Sequence, residues 1–131
     1  MVAFSFQKRF VAPILSGQKA QTIRRTLRRG TRPGCELQIY TGMRTKYCRL
    51  IGRATAVSVV PIWMHFDCDV VFFPGVPDSS TPETPDQFAR DDGFKDWLEL
   101  KKFWAKQHPD VVTFDGWLIA WGNFQPAPEA A

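Results

Sequence analysis

The chain has 131 residues, 44% hydrophobic and 14% aromatic, which fits one globular domain with a core of its own. Net charge is only +4, yet residues 1–53 carry twelve Lys and Arg against Glu36 alone (+11), and residues 54–131 carry five against twelve acidic residues (−7). Three cysteines without CxxC spacing (Cys35, Cys48, Cys68) fit free thiols better than a disulfide framework, and the lack of any eighteen-residue apolar run excludes a membrane-spanning helix.

No N-terminal apolar segment of the signal type is present, so a soluble cytoplasmic protein is expected, with no membrane partner and a monomer favoured. The charge asymmetry predicts a basic face, and nucleic acid is the usual partner of one.

In chain order, Phe4 and Phe6 alternate with small or polar neighbours and predict a first strand from Val2 towards Phe10. A short helix follows over Phe10 to Ser16, with Pro13 tolerable only in its first turn. Gly17 stops it, since glycine takes the left-handed conformation without steric cost. Ala20 to Arg24 has the β-branched content of a strand. On that strand Thr22 and Arg24 share one face, and Gln21, Ile23 and Arg25 the other. Lys19 joins Thr22 only if it sits in the turn before the strand becomes regular.

Arg25 to Pro33 reads as a basic loop, and Cys35 to Thr41 alternates as a strand. Arg44 to Pro61 reads as a long strand in which Gly52 marks a bend or bulge. Asp69 to Asp86, with four prolines, is a surface excursion whose Val70-Val-Phe-Phe73 must dock on the body. Thr84-Pro85 caps a helix through Arg90. Phe94 to Gln107 is the strongest helix, with Phe94, Trp97, Leu98, Leu100, Phe103 and Trp104 as its apolar stripe. Asp115-Gly116 is a hairpin signal between Val111–Phe114 and a central strand Trp117–Trp121, and residues 125–131 read as a frayed tail after a single domain over 1–124. The class is α+β: a small mixed β-barrel flanked by two or three helices.

His65, Asp67, Cys68 and Asp69 are close in sequence but lack zinc spacing, His108 reads as a helix-end residue, and no phosphate-loop, metalloprotease or nucleophile-elbow motif occurs. No metal or cofactor is expected. Phe6-Gln-Lys-Arg-Phe10, Ile14-Leu-Ser-Gly-Gln-Lys19 and Gln21-Thr-Ile-Arg24 resemble the opening of ASCH domains, RNA-associated members of the PUA-like group. Pro33 to Gly42, Ala89 to Phe94 and Gly116 to Trp121 follow in that family's order, so the likeness spans most of residues 4–122.

The resemblance implies a PUA-like fold and, for small bacterial members, hydrolysis of N(4)-acetylcytidine by a lysine, a threonine and a carboxylate. Lys19 and Thr22 match the first two positions. Asp92 falls where those enzymes carry a glutamate, with Asp91 as an adjacent rival and a reach about one methylene shorter. Other members resemble ribonucleases or RNA-binding modules. The residue chemistry agrees with an enzyme: a desolvated lysine near arginines can take a proton from a threonine hydroxyl. Arg24, Arg25, Arg28, Arg29 and Tyr40 are the expected contacts to a nucleoside or RNA. The expected functions are thus an ASCH-type amidohydrolase, alternatively a non-catalytic RNA-binding module or a ribonuclease.

Overall fold

The computed structural model describes residues 1–74 and 84–128. Strands β1 (Val2–Phe6), β2 (Gln21–Arg24), β3 (Glu36–Thr41), β4 (Arg49–His65), β5 (Val70–Phe72) and β6 (Thr113–Pro126) form one sheet. Its order is β1-β3-β4-β6-β2, with β5 on the far end of β4. Among the described residues, only β1 and β3 run parallel. A 3-10 turn (Lys8–Phe10) and three helices, α1 (Val11–Ser16), α2 (Pro85–Asp91) and α3 (Trp97–Gln107), complete an α+β fold.

The expected barrel is not closed: β1 and β2 end the strand order and share no ladder. A side chain spans the opening instead, Arg24 Nη2 donating to Ser5 O at 3.1 Å. The Ser5 carbonyl of β1 is thus met by a guanidinium rather than by another backbone.

The elements follow local chemistry. Phe4 and Phe6 point inward from β1, as their period of two requires. Gly17 closes α1 at φ 87°, its amide donating to Ile14 O. Thr84 Oγ1 accepts from Gln87 N at 3.1 Å ahead of Pro85, and Asp96 caps α3 by accepting from Glu99 N. With Asp96 as cap, α3 starts at Trp97 rather than at Phe94. Leu98 lies outside the buried stripe and is exposed, whereas Phe94 is buried ahead of the helix.

Gly52 does sit at a bulge. Ile39 pairs with Gly52 and Tyr40 with Leu50, skipping Ile51, and a Cβ at Gly52 would lie 2.5 Å from Gln125 O. β4 begins at Arg49 rather than Arg44 and runs on past Pro61 to His65. The apolar run 70–73 docks as anticipated: β5 pairs with the end of β4, and Phe73 packs against Phe88. The rest of that excursion, residues 75–83, lies outside the described residues.

Asp115-Gly116 is not a hairpin. β6 runs straight through it, Gly116 pairing with Ile62 of β4. The glycine serves close approach: a Cβ there would stand 2.5 Å from Arg24 O and 2.7 Å from the Phe114 ring. β2 lies flat on β6 because residue 116 has no side chain. Gln125 and Pro126 belong to β6, and Ala127 is buried with its amide on Ile51 O, so the chain stays ordered past the expected start of the tail. Residues 129–131 lie outside the described residues.

Between sheet and helices the rings of Phe10, Phe94 and Phe103 meet at centroid separations of 5.3 to 5.5 Å, and Trp104 meets Phe114 at 4.6 Å. Such pairs contribute about 0.5–1.5 kcal/mol each beyond their buried area. They hold α3 and the approach to α2 against the edge where β1 and β2 face one another. No helix among the described residues is long and apolar enough to cross a membrane.

Candidate active site

Burial alone isolates three residues. Among the described residues, the only buried polar or charged ones are Lys19 (3% exposed), Thr22 (4%) and Asp92 (5%). All three line one cleft of about 220 Å³, with Arg24 beside them. Buried polar groups are costly unless satisfied, so a cluster of this kind is not an accident of packing.

Lys19 occupies the corner between α1 and β2, as the spacing to Thr22 requires. Its amide donates to Pro13 O at 3.0 Å, which pins the corner after the Gly17 stop. The side chain then runs beneath Gly93, whose φ is 93° and whose absent Cβ would stand 3.1 Å from Lys19 Cδ. Nζ donates to Asp92 O at 2.8 Å and to Asp92 Oδ1 at 3.0 Å. It also lies 4.8 Å from the Phe10 ring centroid and 5.7 Å from that of Phe6.

Asp92 comes from the C-terminal cap of α2, more than seventy residues away in sequence. Its Oδ1 accepts from Lys19 and, at 3.4 Å, from Gln21 Nε2. The aspartate therefore reaches the lysine directly, despite being one methylene shorter than glutamate. Asp91, the sequence rival, is exposed and accepts from Gln87 Nε2.

Thr22 and Arg24 share a face of β2, as alternation demands. Arg24 Nε donates to Thr22 Oγ1 at 3.0 Å while its Nη2 holds Ser5 O. The Arg24 guanidinium stands 4.8 Å from the Phe4 centroid and 5.2 Å from that of Phe6. Thr22 Oγ1 thus accepts from a cation and keeps its own proton free to donate.

The electrostatics follow from burial. Burial pushes Lys19 below the ordinary lysine range and outweighs the opposing attraction of Asp92; the Arg24 and Arg9 charges add to the lowering. Burial likewise raises Asp92 above the usual carboxylate range, against the pull of Lys19. Burial thus works against the charged form of both partners. Arg24 is pushed down to about 10, by burial first and by Arg28 second, and stays charged at neutral pH.

Of the other sequence candidates, Arg25, Arg28 and Arg29 are exposed and do not line the cleft. Arg25 lies over the Phe114 ring at 5.3 Å, and Arg28 over the Phe4 ring at 6.0 Å. Tyr40 is absent from the lining; its hydroxyl donates to Gln38 Oε1 at 3.1 Å.

Sequence reasoning missed Gln21 and the wall formed by Phe10, Phe94, Phe103 and Trp104. Gln21 lies on the opposite face of an ideal strand, yet at the first position of β2 its long side chain still reaches Asp92. The i, i+7 spacing of Trp97 and Trp104 marks a helix face but not what the face covers. His108, read as a helix end, does cap α3, and it also lies at the cleft with its ring 5.1 Å from that of Trp104.

His65, Asp67 and Cys68 bring potential ligand atoms within 4.8 Å of one another in the turn after β4, with Asp67 and Cys68 exposed. Asp69 is turned away, accepting from Trp97 Nε1 and Lys101 Nζ.

No protein-family model and no curated protein matches the chain. Among solved structures, the crystal structure of ASCH from Zymomonas mobilis superposes with a TM-score of 0.56 at 15% identity, over 95% of this chain and 68% of that one. Two mutant forms of the same protein match with TM-scores of 0.54 and 0.51 at 14% and 17% identity. Each is covered over 95% of this chain, and over 70% and 68% of its own. The likeness at these identities is one of fold, and the fold of this chain is ASCH-like.

Proposed function

We propose that this ASCH-like fold carries an amidohydrolase site that removes the acetyl group from N(4)-acetylcytidine or a like N-acylated nucleobase. The observation that carries the reading is the confinement of the three buried polar residues, Lys19, Thr22 and Asp92, to a single cleft. A scaffold that needed only a basic surface for RNA has no use for a desolvated lysine–aspartate pair behind a threonine.

The steps balance as acyl transfer through Thr22. Neutral Lys19 takes the hydroxyl proton as Thr22 Oγ1 bonds to the acetyl carbon. Arg24, which already donates to that oxygen, favours the alkoxide as it forms. The C–N bond then breaks, the exocyclic nitrogen receives the proton from Lys19, and cytidine leaves an acetyl ester on Thr22. Water attacks the ester, giving its proton to Lys19. Acetate departs, and Thr22 recovers the proton. Asp92 holds Nζ in place through two oxygens and stabilises the ammonium while it exists. Phe10 and Phe94 present apolar surface to the base.

The pH profile tests this. The reactive form of Lys19 is the neutral amine, so kcat/KM should rise with pH and level off well below the ordinary lysine value of 10.5, because burial lowers the pKa. Asp92→Asn removes the charge that opposes that lowering, so the rising limb should move to lower pH while the plateau drops. Steady-state rates across pH for wild type and Asp92→Asn decide it. A limb that does not move, or a flat profile, removes Lys19 as the base. Salt-sensitive RNA binding without any turnover would leave the binding module in its place.

A further inference from the structure

A second concavity adjoins the cleft. It measures about 640 Å³ and is lined by Lys8, Thr41, Gly42, Thr45, Tyr47 and Arg49, and it shares Phe6 and Gln7 with the first. Its lining contains two cations and no carboxylate. Among the described residues, neither these cations nor Lys46 makes an ion pair.

Tyr47 is 73% exposed, the largest exposure of any Phe, Trp or Tyr among the described residues. It does not hang from a loose loop. Thr45 Oγ1 donates to Gly42 O at 2.6 Å and accepts from Tyr47 N at 3.1 Å, and Cys48 N donates to Thr45 O at 3.2 Å. Gly42 has φ 67°, and a Cβ there would stand 2.9 Å from Tyr47 O, so the turn closes this tightly only with glycine. A firmly held turn thus presents an aromatic ring to solvent, with Lys46 Nζ 5.2 Å from its centroid. An exposed ring among unpaired cations is the arrangement that binds single-stranded nucleic acid: the ring stacks a base and the cations hold phosphate.

We propose that this concavity is a second nucleotide subsite, so that the substrate of the cleft is a residue within single-stranded RNA rather than a free nucleoside. The neighbouring base stacks on Tyr47, and the phosphate joining the two nucleotides passes Gln7 towards Lys8 and Arg49. The proposal rests on the amidohydrolase reading for the identity of the base in the cleft. It stands on its own for the path of the chain.

The experiment compares kcat/KM for N(4)-acetylcytidine with that for a short single-stranded RNA carrying one internal N(4)-acetylcytidine. Wild type should favour the RNA by about tenfold or more, the worth of one stacked base. Tyr47→Ala should lose that preference through KM while its rate on the nucleoside is unchanged. Tyr47→Phe keeps the ring and should keep the preference. Equal rates on nucleoside and RNA, or a Tyr47→Ala variant that retains the preference, overturn the subsite and leave the amidohydrolase intact. If neither substrate turns over, fluorescence anisotropy with an unmodified single-stranded RNA decides. Tenfold weaker binding by Tyr47→Ala supports the subsite as the amidohydrolase falls, and unchanged binding overturns both.

Discussion

Lys19→Met is expected to destabilise the fold by about 3–5 kcal/mol at neutral pH, because it takes from the buried Asp92 the cation that is hydrogen-bonded to it. Lys19 supplies Asp92's closest donor; the remaining one, Gln21 Nε2, is at 3.4 Å. The loss should depend on pH in a defined sense. Without Lys19, only the weaker pulls of the Gln21 hydrogen bond and the Arg24 charge oppose burial, so the folded pKa of Asp92 stays raised above the ordinary 3.8. The folded variant then binds a proton that the unfolded chain releases above 3.8. Its stability relative to wild type should therefore be best in acid and fall as pH rises towards that raised pKa. Lys19→Met combined with Asp92→Leu removes both charges and should recover most of the loss or exceed wild type. Urea denaturation of the three proteins at acid and neutral pH measures this. A Lys19→Met variant as stable as wild type at both would mean that the pair is not desolvated as described.

Lys19→Arg separates chemistry from charge. The variant keeps a cation for Asp92, but a guanidinium stays protonated and cannot accept the Thr22 proton. kcat/KM for N(4)-acetylcytidine should fall by about 10³-fold or more, equivalent to about 4 kcal/mol of lost transition-state stabilisation. The fold should survive, as judged by circular dichroism and thermal melting. Combining Lys19→Arg with Thr22→Val should cost little beyond either change alone, since members of one catalytic unit do not add. Activity within tenfold of wild type would show that Lys19 serves only to hold Asp92 in place.

Local chemistry made the near half of the site legible. Gly17, the turn position of Lys19 and the shared face of Thr22 and Arg24 follow from capping and strand periodicity, and each stands as those rules require. Asp92 was reachable only through family resemblance, because no local rule brings the end of α2 against a corner more than seventy residues earlier. The failures share one cause. Asp-Gly at 115–116 carries a turn signal, but tertiary approach of β2 decides what Gly116 is for. Strand composition reveals periodicity but not closure, so a curled sheet whose gap is bridged by the Arg24 side chain reads from sequence as a barrel. The exposed arginines of the 25–32 loop drew attention by number. The second concavity is lined instead by Lys8, from just after β1, and by Tyr47 and Arg49 some forty residues later, which meet where β1 and β3 end side by side.

The most direct test of the catalytic assignment is the rate of cytidine release from N(4)-acetylcytidine by wild type and Thr22→Val, assayed side by side. Valine keeps the β-branched shape of this buried residue and removes only the oxygen, so the side-chain hydrogen bond lost among the described residues is that from the charged Arg24, worth about 1.5–3 kcal/mol. The account predicts cytidine and acetate in equal amounts from wild type, and release at the uncatalysed rate from a folded Thr22→Val. Release by Thr22→Val at the wild-type rate, or none by folded wild type, would contradict it.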